Sequence, residues 1–120
     1  MQSSSIPVKI PVTWGASAPG GDITYPMPVP SQISITPGRA SFTDGFPPDN
    51  FLPPAGGGVP PFGQDFNGIL SQLTRWVQWQ NAGAAVPYDA TFQSSVGGYP
   101  KGAVVASPVT FGVEALKYAT

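Results

Sequence analysis

The apolar residues between positions 60 and 83 recur at alternating steps of four and three. This spacing places them on one face of an α-helix, and it is also the spacing of the core positions of a coiled coil. The pattern therefore predicts one amphipathic helix over residues 63–81, with this face as an oligomer interface. The positions that share the face are Phe62, Phe66, Ile69, Leu73 and Trp76, with Gln80 continuing the series.

The residues at both ends of this stretch favour the same boundaries. Pro60 and Pro61 precede the helix, and Asp65 lies in its first turn, where a carboxylate stabilises the positive end of the helix dipole. Gly83 follows the last turn and suits the left-handed conformation of a C-terminal cap. The helix is therefore expected to be a rod about 28 Å long, at about 1.5 Å per residue.

The first 59 residues contain no pattern that predicts a long regular element. Pro26, Pro28 and Pro30 remove backbone donors along one edge of their segment, so no hydrogen-bonded ladder can form there. Residues 31–36 alternate isoleucine with polar residues and predict a strand-like arm. Because a compact isolated domain rarely tolerates so long an irregular stretch, we expect an arm anchored on a neighbouring subunit or another protein. Its apolar anchors are Ile33, Ile35, Phe42 and Phe46.

The residues after the central helix predict three short elements. Asp89 can cap a helix over residues 90–96, which Gly97 can end. Residues 99–102, Tyr-Pro-Lys-Gly, fit a type I turn with proline second and glycine fourth. Two further segments predict the strands of a small C-terminal β-hairpin, residues 103–106 and 110–116.

These elements divide the chain into three regions. Residues 1–59 form a Pro/Gly-rich extended anchoring arm, residues 60–83 the central oligomerisation helix, and residues 84–120 the short helix, turn and hairpin. The expected fold class is a small α+β protein with low regular content.

Composition excludes several classes of function. The chain has no cysteine and no histidine, which removes disulfides, thiolate metal sites and the usual general base at neutral pH. The net charge is −1 and the five Lys and Arg residues are scattered, so we expect no nucleic-acid binding. No apolar run is long enough to span a bilayer, so we expect no membrane insertion. The 15 glycines and 16 prolines favour an irregular chain, whereas 41% hydrophobic residues favour order. We therefore expect a subunit that meets other protein over much of its surface.

Three groups of residues could carry chemistry, and each has a simpler explanation. Asp44 and Asp49 could bind calcium, but their spacing does not match a calcium loop, so roles in turns and caps are favoured. Residues 56–58 are placed like a phosphate-binding loop but lack its Lys-Ser/Thr pair. Asp65 and Asp89 could form a glycosidase carboxylate pair, but dipole and capping roles explain both. We expect no enzyme activity, no metal and no cofactor.

The aromatic residues leave one other binding function open. Four of them could form a sugar-stacking platform, as in a carbohydrate-binding or host-adhesion module. The same residue types are enriched in cores and protein interfaces, and we favour that role. The four residues are Trp76, Trp79, Tyr88 and Tyr99.

Several separated runs of sequence resemble the N-terminal, virion-attachment region of tailed-bacteriophage tail fibre proteins. They cover roughly residues 23–106, and their order makes the resemblance more specific than any single motif. The runs are ITPGRASFTDGFPP at 35–48, GGGVPPFGQDFNGIL at 56–70, WQNAG at 79–83, PYDA at 87–90 and GGYPKGAV at 97–104.

The resemblance implies a structural virion component, made in the host cytoplasm, with no catalytic residue and no cofactor. It implies a homotrimeric fibre base that attaches to tail or baseplate proteins, and to which a further fibre protein could attach at the C-terminal end. Three copies of the predicted helix would then form a trimeric helical bundle, with the apolar faces (the seam) turned toward a common axis. Fibres of this kind usually continue into a shaft and a receptor-binding tip, so a short adaptor and a fragment of a longer fibre both remain open. A carbohydrate-binding or host-adhesion module is the alternative function.

Overall fold

The computed structural model describes residues 1–107. They contain two α-helices, α1 (Gly63–Asn81) and α2 (Ala90–Val96), four short 3-10 segments and no β-sheet. The chain divides into two compact units, Met1–Asn81 and Ala82–Thr120. The predicted small size and low regular content are confirmed. The 3-10 segments are Ser3–Ser5, Gly20–Asp22, Pro48–Phe51 and Pro54–Gly56.

Helix α1 has the predicted bounds, and its buried face is polar. Its buried residues are Asp65, Gly68 and Ser71, which recur at steps of three. Phe66, on the predicted seam, is exposed. The N-terminal arm, residues 1–59, packs on the polar face because an irregular backbone has unpaired N–H and C=O groups that need polar partners. The arm is therefore ordered against a helix of its own chain.

Polar side chains of α1 take the place that a neighbouring strand would occupy in a sheet. The Oε1 atom of Gln72 accepts a hydrogen bond from the N–H of Met27 at 3.0 Å. Other arm backbone groups are held in the same way by side chains along almost the whole helix. These pairs are Asn67 with the carbonyl of Asp22, Thr74 with the N–H of Trp14, and Gln78 with the carbonyls of Ile10 and Pro11.

Gly68 allows the arm to approach the α1 backbone closely. A Cβ atom at this position would lie 1.9 Å from the carbonyl oxygen of Thr24 and 2.9 Å from the sulfur of Met27. The N–H of Thr24 also donates to the carbonyl of Gln64 at 3.0 Å. This hydrogen bond holds the arm backbone against α1, so the arm cannot move away without breaking it. The path of the arm therefore requires glycine here.

We expect Gly68→Ala to destabilise the protein by about 2–3 kcal/mol, because overpacking against a backbone carbonyl outweighs the better helix propensity of alanine, about 1 kcal/mol. Gly63→Ala is the matched control, since a Cβ at this helical glycine meets nothing within 4 Å. Urea unfolding of both variants measures the difference. Equal stability of the two variants would contradict the close approach.

Residues 31–36 form turns and not the predicted strand. The N–H groups of Ile35 and Thr36 both donate to the carbonyl of Gln32, at 3.1 and 2.8 Å, which an extended strand cannot do. A strand also needs a hydrogen-bonded neighbour, and the prolines at alternate positions just before it supply few donors. The isoleucine alternation was therefore a wrong indication of β structure.

Backbone carbonyls of the proline-rich segment 26–30 accept hydrogen bonds from a tight loop at residues 41–45 of the same chain. Ser41 and Gly45 exchange two backbone hydrogen bonds, at 3.1 and 2.8 Å, around the turn that contains Asp44. The N–H groups of Phe42 and Thr43 donate to the carbonyls of Pro28 and Val29, at 2.9 and 3.2 Å. This loop therefore closes the arm onto itself beside the first turns of α1.

In the second unit, α2 forms with the predicted bounds and caps. The carboxylate of Asp89 accepts a hydrogen bond from the N–H of Phe92 at 3.0 Å, and Gly97 follows the helix with φ 81°. The predicted turn at 99–102 lies one residue later: the N–H of Ala103 donates to the carbonyl of Pro100. Gly102 then occupies the third position with φ 84°, as in a type II turn and not a type I turn.

The predicted β-hairpin is not supported among the described residues. Residues 103–106 form no strand, and Ala106 makes a single parallel bridge with Pro87, on the other side of α2 in the chain. The N–H of Tyr88 donates to Ala106 and the N–H of Ala106 donates to Val86, both at 2.8 Å. The hairpin is absent here because Ala106, the last residue of the segment, pairs with the chain before α2. The second predicted strand, 110–116, lies outside the described residues.

Candidate functional site

The predicted interface forms one face of α1, which we call the α1 stripe. Phe66, Leu73 and Trp76 are 48%, 54% and 50% exposed, although they are large apolar side chains. At about 100° per residue they fall within roughly 120° of the helix circumference, opposite the face covered by the arm. The stripe comprises Phe62, Phe66, Ile69, Leu73, Trp76 and Gln80, of which Phe62 and Ile69 are half-buried and Gln80 is exposed.

The arm extends the α1 stripe at its N-terminal end. The ring of Phe46 lies against that of Phe66, with centroids 4.4 Å apart. This predicted anchor therefore packs on the helix of its own chain. The three other predicted anchors, Ile33, Ile35 and Phe42, are exposed on the arm.

A pocket of about 160 Å³ opens between the arm and the α1 stripe. Its walls are mainly apolar, and Asp65 is among the few polar residues that line it. Sequence reasoning did not find this pocket, since its residues come from positions far apart in the chain. The principal lining residues are Met27, Ala40, Phe42, Phe46, Asp65 and Ile69.

Asp65 joins the arm to α1 through a buried ion pair. Its side chain is 1% exposed and the side chain of Arg39 is 26% exposed. The guanidinium donates through Nη2 to Oδ1 at 2.8 Å and through Nε to Oδ2 at 3.2 Å, a two-point contact. The N–H of Ala40 and the hydroxyl of Thr24 also donate to the carboxylate, at 2.8 and 3.1 Å. Asp65 lies in the first turn as predicted, but its main contacts are with the arm.

Two opposing effects act on the pKa of Asp65. Burial by itself would raise this pKa, because desolvation penalises the charged form. Hydrogen bonds from Arg39, Ala40 and Thr24 favour the carboxylate and outweigh burial, so the pKa of Asp65 is lowered. The hydrogen bond to Asp65 raises the pKa of Arg39. Both groups are therefore charged at neutral pH, and together they leave no net charge beside the pocket.

We expect the free energy of unfolding to decrease as the pH falls below about 4. The pKa of Asp65 in the folded protein lies below its unfolded value of about 3.9. Its stabilising effect is therefore fully present above the unfolded pKa and is lost as the pH falls through the folded pKa. Urea unfolding between pH 7 and pH 2 measures this decrease. Asp65→Asn should make it smaller, and an unchanged decrease in that variant would assign it to other carboxylates.

The other candidate chemical groups have local structural roles. Asp44 is bonded to Ser41 within its turn, and no group of three or more potential metal ligands occurs among residues 1–107. The N–H groups of residues 56–58 donate to the carbonyls of Pro53 and Pro54, so they are not free to cradle a phosphate. Asp65 and Asp89 lie in different units.

The four aromatic residues of the possible sugar platform are divided between the two units. Trp76 and Trp79 lie on α1 in the first unit. In the second unit the rings of Tyr88 and Tyr99 are 5.5 Å apart, and Phe92 lies 5.9 Å from Tyr99. Each tyrosine hydroxyl is also bonded, that of Tyr88 to Gln93 and that of Tyr99 to the N–H of Asp89. The two tyrosines therefore belong to a small aromatic cluster that holds α2.

Within residues 1–107, neither helix has the length and apolar character that crossing a membrane would require. The sequence was compared with protein-family models, with curated proteins and with solved structures. None of these comparisons found a match.

Proposed function

We infer that the chain is a structural bacteriophage protein, a tail fibre or baseplate-fibre attachment subunit that acts by obligate protein–protein assembly as a homotrimer. One observation carries the assembly part of this proposal. The polar face of α1 is covered by the arm of the same chain, whereas Phe66, Leu73 and Trp76 of its apolar stripe are about half exposed. The phage part rests on the sequence motifs.

The exposed stripe favours association on energetic grounds. Fully burying one large apolar side chain stabilises by about 1.5–3 kcal/mol, so half-exposed Phe66, Leu73 and Trp76 would each contribute about 1 kcal/mol per copy. Alternating steps of four and three are the spacing at which helices pack along a common axis. Three copies would therefore remove the stripe from water.

The resemblance motifs contain the residues that build this site. The run at 35–48 supplies Arg39 and Phe46, and the run at 56–70 supplies their partners Asp65 and Phe66. The two runs thus meet in the fold around one ion pair and one ring contact. This supports a shared architecture as the reason for the resemblance.

The arm has a second role in this proposal. Ile33 and Ile35 are 45% and 69% exposed on the arm. We assign them to contact with a neighbouring tail or baseplate protein, because the packing of their own chain leaves them in water. A further fibre protein could attach at the C-terminal end.

Two measurements test the function. Light scattering should give three times the 12.4 kDa chain mass. Gold labelling of a tagged chain in purified phage particles should place it at the tail. A monomer at all concentrations would contradict the assembly, and a trimer that is absent from particles would contradict the phage role. A monomer that binds glycans would support the carbohydrate-binding alternative.

A further inference from the structure

The heptad register of α1 places aliphatic residues beside the stripe, at positions that are usually charged in coiled coils. Counting Phe66 as position a puts Gly63, Leu70 and Val77 at e positions, and Asp65, Gln72 and Trp79 at g positions. The e positions of coiled coils usually carry charged residues that pair with g positions of the next helix. Here two of the three e positions, Leu70 and Val77, are aliphatic, so the next helix has to offer them an apolar surface.

The two g residues that would face Leu70 and Val77 cannot offer that surface themselves. In a parallel bundle a g residue faces the e residue five positions later on the next helix, so Asp65 would face Leu70, and Gln72 would face Val77. Both g side chains are bound to the arm, Asp65 to Arg39 and Gln72 to the N–H of Met27. The arm therefore occupies the space beside the stripe on this flank.

The arm presents an apolar pocket at the level of Asp65 and Ile69. Its volume is about 160 Å³, and an apolar cavity of about 150 Å³ is large enough to hold benzene. One leucine side chain therefore fits. The charge of Asp65 in its wall is balanced by Arg39, so an uncharged side chain would meet no unpaired charge.

The exposed area of the stripe is too small for a stable interface, so the arm has to contribute surface as well. The rings of Phe66 and Trp76, each about half exposed, present together about 200 Å², since an aromatic side chain offers about 150–250 Å². Of the other stripe residues, Leu73 and Gln80 are smaller and Phe62 and Ile69 are half-buried, so the four add roughly as much again. A stable interface buries about 800 Å² per partner, so the stripe alone falls short. Arm residues beside the stripe, including exposed Phe42, supply the adjoining surface.

We propose that Leu70 of one copy inserts into the arm pocket of the next copy, and that this contact repeats around a three-fold axis. The proposal rests on the trimer proposed above and specifies how its subunits interlock. Such a head-to-tail contact joins two different surfaces and closes into a ring when the rotation is three-fold. The packing of the arm against its own helix would then form the pocket that accepts Leu70 of the neighbouring helix.

Disulfide trapping tests the contact, because the native chain has no cysteine. The double variant Phe42→Cys/Leu70→Cys places one thiol at the pocket and one at the inserting position. After mild oxidation we expect covalent dimers and trimers on a denaturing gel, whereas a bond within one chain would not change the mass. Phe42→Cys/Val77→Cys is the matched control, since Val77 lies in the same column about 10 Å further along α1. It should remain monomeric on the gel.

Light scattering before oxidation separates the two proposals. A trimer without the 42–70 cross-link, or with an equal cross-link from position 77, would overturn the insertion and leave the trimer standing. Absence of a trimer in the native protein would overturn both. In a single variant, Leu70→Ala should raise the concentration at which the trimer half-dissociates at least tenfold, whereas Leu70→Met should leave it within a few-fold. Equal behaviour of these two variants would also overturn the insertion.

Discussion

Leu73→Asp is expected to convert the protein from a trimer into a monomer. Leu73 lies at the centre of the α1 stripe and is 54% exposed in the single chain. In the proposed trimer three copies of this residue converge, and an unpaired carboxylate in an apolar seam costs several kcal/mol per copy. Light scattering measures the mass, and circular dichroism measures the helix content.

The same variant separates assembly from folding. In the single chain the arm covers the opposite face of α1, so a carboxylate at position 73 remains in water and the first unit should still fold. We therefore expect a monomer with retained helix content. Leu73→Met is the control, since it preserves volume and should keep the trimer. A Leu73→Asp trimer with unchanged melting temperature would refute the stripe as an interface.

Arg39→Leu is expected to destabilise the first unit by about 3–5 kcal/mol, because removing one partner of a buried ion pair leaves an uncompensated charge. The side chain of Asp65 is 1% exposed, whereas that of Arg39 is 26% exposed. Asp65→Asn should therefore cost less, about 1–3 kcal/mol, since the remaining guanidinium can reach solvent. Urea unfolding followed by tryptophan fluorescence measures both values.

The double variant shows whether the two residues act as a pair. Because each single substitution removes the same contact, Arg39→Leu/Asp65→Asn should cost clearly less than the sum of the two single variants. A strictly additive result would mean that Arg39 and Asp65 stabilise the fold through separate contacts. A larger cost for Asp65→Asn than for Arg39→Leu would contradict the burial argument.

Local signals in the sequence determined both helices. The period of the apolar residues placed α1 at Gly63–Asn81, and Asp89 and Gly97 placed α2 at Ala90–Val96. These features depend on residues within one or two turns of each other, so they can be seen without knowing the fold. The seam residues follow from the same period, whereas their role in assembly stays a prediction.

Elements that depend on a distant partner were predicted poorly. Residues 31–36 alternate like a strand but form turns, and of residues 103–106 only Ala106 is paired, with the chain before α2. A strand exists only with a hydrogen-bonded neighbour, and nothing in either segment specifies which neighbour is near. Local sequence patterns therefore could not decide whether the β-hairpin and the strand-like arm form.

Only the tertiary structure decided which face of α1 the chain covers. The sequence showed an apolar seam and an irregular arm, and both could have packed together. Instead the unpaired backbone groups of the arm bind the polar side chains of α1, since buried N–H and C=O groups must be paired. Arg39 meets Asp65 across 26 positions of the chain, and the pocket beside the stripe is assembled from equally distant residues. Such contacts depend on the three-dimensional path of the arm, which no local period or spacing encodes.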